Sequence, residues 1–101
     1  TLIYAGLCHG ASGAIASTGN IVPKLIVGIY DAFQAGDTAE ALRLQSELTP
    51  LRNLVDVATF PVVLKEGLRA AGIDAGYCLA PARDLDERYR AELATVVANL
   101  I

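Results

Sequence analysis

The sequence has no methionine or tryptophan, and only one histidine and two cysteines among its 101 residues. Cys8 and Cys78 lie far apart, and neither belongs to a CxxC motif or a Cys/His cluster, so the spacing gives no support to a zinc site. We predict that both are buried, reduced thiols. His9 stands in an apolar neighbourhood, where a packed or helix-end histidine is more common than a catalytic one. We therefore assign no function to His9.

Charge is also scarce. The net charge is −3, and the lysines and arginines are scattered along the chain, which gives no electrostatic footprint for nucleic acid. Residues 1–23 are uncharged, but glycines, Pro23 and hydroxyl residues interrupt them, so we predict no membrane span. No basic region precedes an apolar core, as it would in a signal peptide. Ser12 and Ser17 lack a G-x-S-x-G elbow, which argues against a serine hydrolase.

What the chain has in excess is apolar surface. Hydrophobic residues make up 53% of it, and the mean hydropathy is +0.43, although 101 residues allow only one domain. Such a composition suits a segment that packs against more protein. We therefore expect a fragment of a longer protein, and we expect the isolated chain to associate with other polypeptide.

The most informative segment runs from residue 10 to residue 20. Here Ala14, Ile15 and Ala16 stand between Gly13 and Gly19, and such a continuous apolar run is typical of a strand covered on both faces. We predict one short buried strand at about residues 13–18. A buried strand needs ladder partners, and no other segment has a convincing strand pattern. The partners should lie outside this chain.

The rest of the sequence predicts helices. Residues 1–9 form the first, and the second begins at Pro23 and ends at Gly36. Its apolar face follows helical spacing through Val22, Leu25, Ile26, Ile29, Tyr30 and Phe33.

The third predicted helix begins at Asp37, which is followed by Glu40 in a carboxylate variant of the capping box. Pro50 predicts a kink or short break near residues 48–50. A further helix runs from Pro61 to Gly72, and the last is capped by Asp84. The chain itself is thus expected to be mainly α-helical.

Several motifs occur in a recognisable order: Gly13-Ala14-Ile15 before Ser17-Thr18-Gly19-Asn20, Gly36-Asp37 before Glu40-Ala41, Thr49-Pro50-Leu51, and Phe60-Pro61 ahead of Lys65. In this order and spacing the chain resembles the C-terminal part of the dihydrodipicolinate synthase / N-acetylneuraminate lyase family. The Ser17-Thr18 pair is more similar to the lyase branch. The resemblance implies an α/β (β/α)8 TIM barrel, with residues 1–36 as its last βα part and residues 37–101 as an appended helical tail.

The resemblance also implies a class I, Schiff-base aldolase that acts on pyruvate or a 2-keto acid. The position of Ile15 offers a backbone carbonyl near the pyruvate-derived part of the substrate, and Ser17 lies near its hydroxyl or carboxylate end. Thr18 completes the substrate-binding residues, because active sites of such barrels lie at the carboxyl ends of the strands. Ser17 and Thr18 are equally suited to satisfying backbone groups at a strand end. Asn20 is expected to cap the next helix.

We expect no catalytic residue within this chain. Neither Lys24 nor Lys65 has the apolar, strand-end setting that lowers the pKa of an amine, and the resemblance puts the reactive lysine upstream. We expect no cofactor and no metal. The intact protein is expected to be a cytoplasmic homo-oligomer whose barrel is completed by residues outside this chain.

Two classes of function remain open. One is the enzyme fragment described above, whose second substrate is an aldehyde sugar, an aspartate semialdehyde or absent. The other is a non-enzymatic helical module whose apolar faces bind a partner protein. Residues 10–20 discriminate between them, because a helical module has no use for a glycine-flanked strand.

Overall fold

A computed structural model describes residues 2–101, most of which are helical. The elements are α1 (Ile3–Cys8), a 3-10 helix (Ser17–Asn20), α2 (Pro23–Gln34), α3 (Thr38–Val55), α4 (Val62–Ala70) and α5 (Glu87–Leu100). Together they measure 43 × 25 × 20 Å along the three principal axes. The predicted helical character is confirmed. Among these residues, no helix is both long and apolar enough to cross a bilayer.

The short buried strand predicted at about residues 13–18 is wrong for the chain as described. Residues 11–15 are exposed and irregular, and residues 17–20 form the 3-10 helix. Ile15 has a relative exposure of 107%. No backbone group of residues 12–15 has a backbone partner within residues 2–101, so no ladder can form. Ala16 keeps extended angles (φ −118°, ψ 117°).

The junction between α2 and α3 follows the sequence closely. Gly36 has a φ of 78°, a left-handed conformation that glycine adopts without strain. Its N–H donates to the carbonyl of Phe33 at 3.0 Å, and the N–H of Asp37 donates to the carbonyl of Ala32 at 2.9 Å, which is a Schellman motif. Asp37 Oδ1 then accepts from the N–H of Glu40 at 3.0 Å. The predicted stop and cap are both confirmed.

Of the kink or short break predicted near residues 48–50, the break is wrong, because α3 runs without interruption from Thr38 to Val55. Leu48 and Leu51, on either side of the proline, are completely buried. Burial of two such side chains contributes several kcal/mol, about as much as an interior proline costs. Packing therefore keeps the helix continuous.

The C-terminal helix begins later than predicted. Asp84 does not cap it; instead Asp86 Oδ1 accepts from the N–H of Arg88 at 2.9 Å. Leu85 is 4% exposed. Because Leu85 inserts into the core, the next residue, Asp86, occupies the N-cap position. The helix predicted to begin at Pro61 is confirmed, with Pro61 as the N-cap of α4.

The cysteines also differ from prediction. Both are free thiols, but Cys8 is exposed and Cys78 is half-buried. Cys8 ends the short helix α1 on its solvent side, since the buried residues of that helix are Ile3 and Leu7.

A hydrophobic core joins the helices, and its fully buried side chains come from α2, α3, α4 and α5: Ile29, Leu48, Leu51, Val63, Leu93 and Val97. Helix α2 packs along α3, and both α3 and α4 contact α5. The helices thus enclose a core without help from a barrel.

A close contact fixes the end of the 3-10 helix against α4. Ile21 follows the 3-10 helix and is 5% exposed. It lies so close to Gly67 of α4 that a Cβ at residue 67 would collide with Ile21 Cδ1. The residue before Gly67 is Glu66, whose buried carboxylate pairs with Arg69 and, at 3.3 Å, with Arg90 Nε of α5.

Candidate functional site

A groove of about 600 Å³ lies beside the predicted substrate-binding segment. One wall is the chain around the 3-10 helix, and the other is formed by the carboxyl end of α3, the following loop and α4. The lining residues are Ile15, Ala16, Ser17, Asn20, Arg52, Val55, Phe60 and Leu64. The groove therefore brings two of the three predicted residues together with side chains from the tail.

Ser17 begins the 3-10 helix and is half-buried. The backbone turn around it is closed by two hydrogen bonds: Gly19 N–H donates to the carbonyl of Ala16 at 3.0 Å, and Asn20 Nδ2 donates to the carbonyl of Ser17 at 2.8 Å. The hydroxyl of Ser17 has no hydrogen-bond partner within the described residues. It is therefore available to donate to and accept from a ligand in the groove.

The sequence predicted that Asn20 caps α2, and this prediction is wrong. The N-cap of α2 is Val22, which makes no side-chain capping bond. The amide of Asn20 instead turns back to the 3-10 helix, where it holds the carbonyl of Ser17. The competing local hydrogen bond, typical of asparagine, explains the difference.

Ile15 and Thr18 occupy opposite environments. Ile15 lines the groove with a fully exposed side chain, whereas Thr18 is completely buried and does not line it. Thr18 Oγ1 has no hydrogen-bond partner in residues 2–101. The backbone carbonyl of Thr18 accepts from both Ile21 and Val22 at 3.0 Å, so this residue stabilises the turn that presents Ser17.

Arg52 was not singled out from the sequence. It lies on the last turns of α3 and, among residues 2–101, is the only charged residue that lines the groove. Its Nη1 donates to Asp56 Oδ2 at 2.7 Å. A signal existed, because an arginine and an aspartate four residues apart share one helix face, but that spacing does not reveal which element the face meets.

The apolar part of the groove comes from Val55, Phe60 and Leu64. Phe60 is 65% exposed, so its ring stands at the rim. The Phe60-Pro61 motif supported the resemblance, but nothing in the sequence indicated that Phe60 and Ser17 line the same groove.

The lysines lie elsewhere. Lys24 is exposed in the first turn of α2, and Lys65 Nζ donates to the carbonyl of Tyr77 at 2.8 Å. Neither lines the groove, and His9 is exposed after α1. Within residues 2–101, no three His, Cys, Asp or Glu side chains could together hold a metal ion. The groove can bind and orient a ligand, and it contains no amine nucleophile.

The fold of the chain is that of part of a TIM-barrel protein. It superposes on a putative dihydrodipicolinate synthetase from Pseudomonas aeruginosa with a TM-score of 0.91 and 26% identity, over 97% of this chain and 34% of the other. The chain also superposes on a solved structure of KD(P)GA from T. tenax, with a TM-score of 0.82 and 30% identity. This match covers 98% of this chain and 35% of the other. The family model described as "Dihydrodipicolinate synthetase family" matches residues 1–100. The chain belongs to this family, which confirms the resemblance.

Curated relatives agree. The chain is 37% identical over 93 residues to a 4-hydroxy-tetrahydrodipicolinate synthase of Methanoculleus marisnigri, a match that covers 92% of this chain and 32% of the relative. Another 4-hydroxy-tetrahydrodipicolinate synthase, from Streptomyces coelicolor, is 38% identical over 93 residues. The match covers 90% of this chain and 30% of the relative. The chain thus spans about a third of the length of the relatives it matches.

Proposed function

We propose that this chain is the C-terminal part of a Schiff-base-forming lyase or synthase that acts on pyruvate or a 2-keto acid by aldol addition, aldol cleavage or dehydration. The observation that carries the proposal is the unpaired hydroxyl of Ser17 in the groove of a chain that matches the family over residues 1–100. Residues 1–36 are assigned to the barrel and residues 37–101 to the tail.

In this proposal the chemistry is divided between this chain and the rest of the barrel. A lysine amine outside the chain adds to the substrate ketone, water leaves, and an imine forms. The imine accepts the electron pair when a carbon–carbon bond breaks, and the reverse step forms that bond. Ile15 presents its backbone carbonyl to the pyruvate-derived part, Ser17 hydrogen-bonds the other end, and Thr18 supports the turn.

The partners proposed for the chain are a small 2-keto acid, the remainder of the barrel and further copies of the protein, in the cytoplasm. The unpaired backbone of residues 12–15 supports the remainder of the barrel as a partner, because strands on either side would satisfy its N–H and C=O groups. No finding favours the helical interaction module, since the helix faces of α2 to α5 already meet one another in the core.

Replacing Ser17 in the whole protein tests the proposal. Ser17→Ala should still allow imine formation with pyruvate, trapped with borohydride and measured by mass spectrometry. It should weaken use of the complete substrate by roughly 1–3 kcal/mol in kcat/KM, because one hydrogen bond to a polar group is lost.

Ser46→Ala is the matched control, since the hydroxyl of Ser46 donates to the carbonyl of Leu42 on the exposed side of α3. Unchanged kinetics for Ser17→Ala would return Ser17 to a structural role. The isolated chain should form no adduct at Lys24 or Lys65, and stoichiometric labelling of either would contradict the proposed division of the site.

A further inference from the structure

A second cavity, of about 390 Å³, adjoins the groove. It lies between the start of α4 and the loop of residues 71–86 that leads to α5, and we call it the loop cavity. Its lining includes Pro61, Lys65, Tyr77, Leu79 and Ala82. Among residues 2–101, Phe60 is the one residue that lines both the groove and the loop cavity. Its ring therefore stands where the two volumes meet.

Phe60 is the least restrained part of this boundary. Its side chain is 65% exposed, and it lies in the turn between α3 and α4, outside both helices. Neither its N–H nor its carbonyl has a hydrogen-bond partner in the described part of the chain. Exposed side chains of this kind exchange rotamers within picoseconds to nanoseconds. The ring can therefore leave the rim of the groove without disturbing either helix.

The wall of the loop cavity opposite α4 is, by contrast, held in place. Lys65 Nζ donates to the carbonyl of Tyr77 at 2.8 Å, and Arg69 Nη2 donates to the carbonyl of Gly76 at 3.2 Å. The guanidinium of Arg69 also lies over the ring of Tyr77, 4.8 Å from its centroid. Hydrogen bonds from charged donors are stronger than neutral ones. They tie the loop to α4, so the cavity keeps its shape when the ring of Phe60 moves.

The loop cavity is suited to an aromatic ring. Apolar walls around a volume of about 150 Å³ are enough to bind benzene, and the loop cavity is larger than this. Tyr77 and Leu79 are 75% and 88% exposed, so a ring placed there would remove its own apolar surface and theirs from water. The groove offers Val55 and Leu64 in the same way. Apolar surface on both sides of Phe60 makes its two positions comparable in free energy.

We propose that Phe60 is a gate with two positions. At the rim its ring narrows the groove, and in the loop cavity it leaves the groove open. A ligand that fills the groove favours the second position, because it binds only when the ring has moved away. The two positions are a property of this chain, whereas their effect on pyruvate rests on the proposed function and deepens it, since they control access to the same site.

The position of the ring is measured in the whole protein with a single 4-fluorophenylalanine at residue 60. Ala82→Leu adds side-chain volume within the loop cavity and should hold the ring at the rim. Relaxation of the fluorine signal by a soluble nitroxide should then rise roughly twofold, because a ring divided between two comparable positions is confined to the exposed one. Ala91→Leu is the matched control, since residue 91 is exposed on α5 and lines neither cavity. It should leave the relaxation unchanged.

Entry of pyruvate is measured as the second-order rate constant of adduct formation in the presence of borohydride. Ala82→Leu should lower this rate constant by roughly 2- to 10-fold, the factor by which the open fraction falls. Phe60→Ala removes the gate, so Ala82→Leu should have no further effect in that background. If Ala82→Leu does not fold, Ala82→Val adds less volume and should shift both measurements in the same directions by smaller factors.

An unchanged or lower fluorine relaxation in folded Ala82→Leu would overturn the two positions. A raised relaxation with an unchanged rate of adduct formation would overturn control of access. So would an equal loss of rate with and without the Phe60 ring, because residue 82 would then act independently of it. An unmutated protein that forms no adduct defeats the proposed function, while the fluorine measurement still decides whether the ring has two positions.

Discussion

Two isoleucines show how differently the segment before the 3-10 helix and the helical core are supported. Ile15, on the segment before the 3-10 helix, is fully exposed, while Ile29 of α2 is completely buried. The residue type is the same, but only the second has neighbours within the chain. The helical core is therefore complete by itself, whereas the groove wall that carries Ser17 depends on a turn, on Asn20 and on the contact between Ile21 and Gly67.

The largest expected effect tests this contrast directly. Ile29→Ala should lower the free energy of unfolding by about 2–5 kcal/mol, because a buried side chain is removed and a cavity is left. In the isolated chain Ile15→Ala should change it by less than about 0.5 kcal/mol. Urea denaturation of both variants measures the difference. Equal losses in the isolated chain would show that Ile15 is packed there.

A smaller effect is expected at the contact that positions the groove. Gly67→Ala introduces a methyl group against Ile21, and such overpacking costs about 1–3 kcal/mol, partly offset by the higher helix propensity of alanine. Ile21→Val removes the Cδ1 atom concerned. The double variant should therefore be more stable than the sum of the single changes, as measured by a double-mutant cycle. Simple additivity would mean that the two residues do not touch.

The start of α5 distinguishes the observed cap from the predicted one. Asp86→Ala should cost about 1 kcal/mol, because the N–H of Arg88 loses its acceptor. Asp84→Ala is the matched control, two residues away and also exposed, and should have no measurable effect on the urea midpoint. A larger loss of stability for Asp84→Ala than for Asp86→Ala would instead show that Asp84 is the N-cap.

The smallest expected effect is a pH dependence at α3. Hydrogen bonds from Arg43 hold the pKa of Glu40 below its usual value of 4.5. Because the folded-state pKa is the lower one, the contribution of this pair to stability is present above the unfolded value and is lost as the pH falls through the folded value.

Glu40→Gln should remove that dependence. The difference in urea midpoint between it and the unmutated chain should shrink as the pH is lowered from about 6 to about 3. Glu92→Gln, at an exposed position of α5, controls for the loss of a charge. A difference that stays constant with pH would show that the ion pair does not contribute.

The sequence predicted the helices well because their signals are local. Pro23, the Gly36-Asp37 pair and Gly72 each act through the backbone of a few neighbours, and the structure follows them. The strand at about residues 13–18 could not be judged in this way, because a strand requires backbone partners that are distant in sequence, and residues 12–15 have none within residues 2–101. The short break predicted as one alternative at Pro50 does not occur, because burial of Leu48 and Leu51 outweighs a local penalty.

The candidate site was predicted only in part for the same reason. Ser17 and Ile15 belong to one contiguous motif, so the sequence located their wall of the groove. Arg52 and Phe60 reach the groove because α4 packs against the 3-10 helix and α3 packs against α4, and no spacing within the sequence records these contacts. A prediction from motifs finds one side of such a groove, and tertiary structure is needed for the other.

The Gly36-Asp37 junction has a consequence for motion. The residue that completes the Schellman motif of α2 is also the N-cap of α3, so no linker separates the proposed barrel part from the proposed tail. A boundary of this kind cannot serve as a hinge, because any rotation would break the hydrogen bonds that end one helix and begin the next. Arg52 should consequently move with the barrel as one rigid body, and its distance from Ser17 should stay the same whether or not substrate is bound.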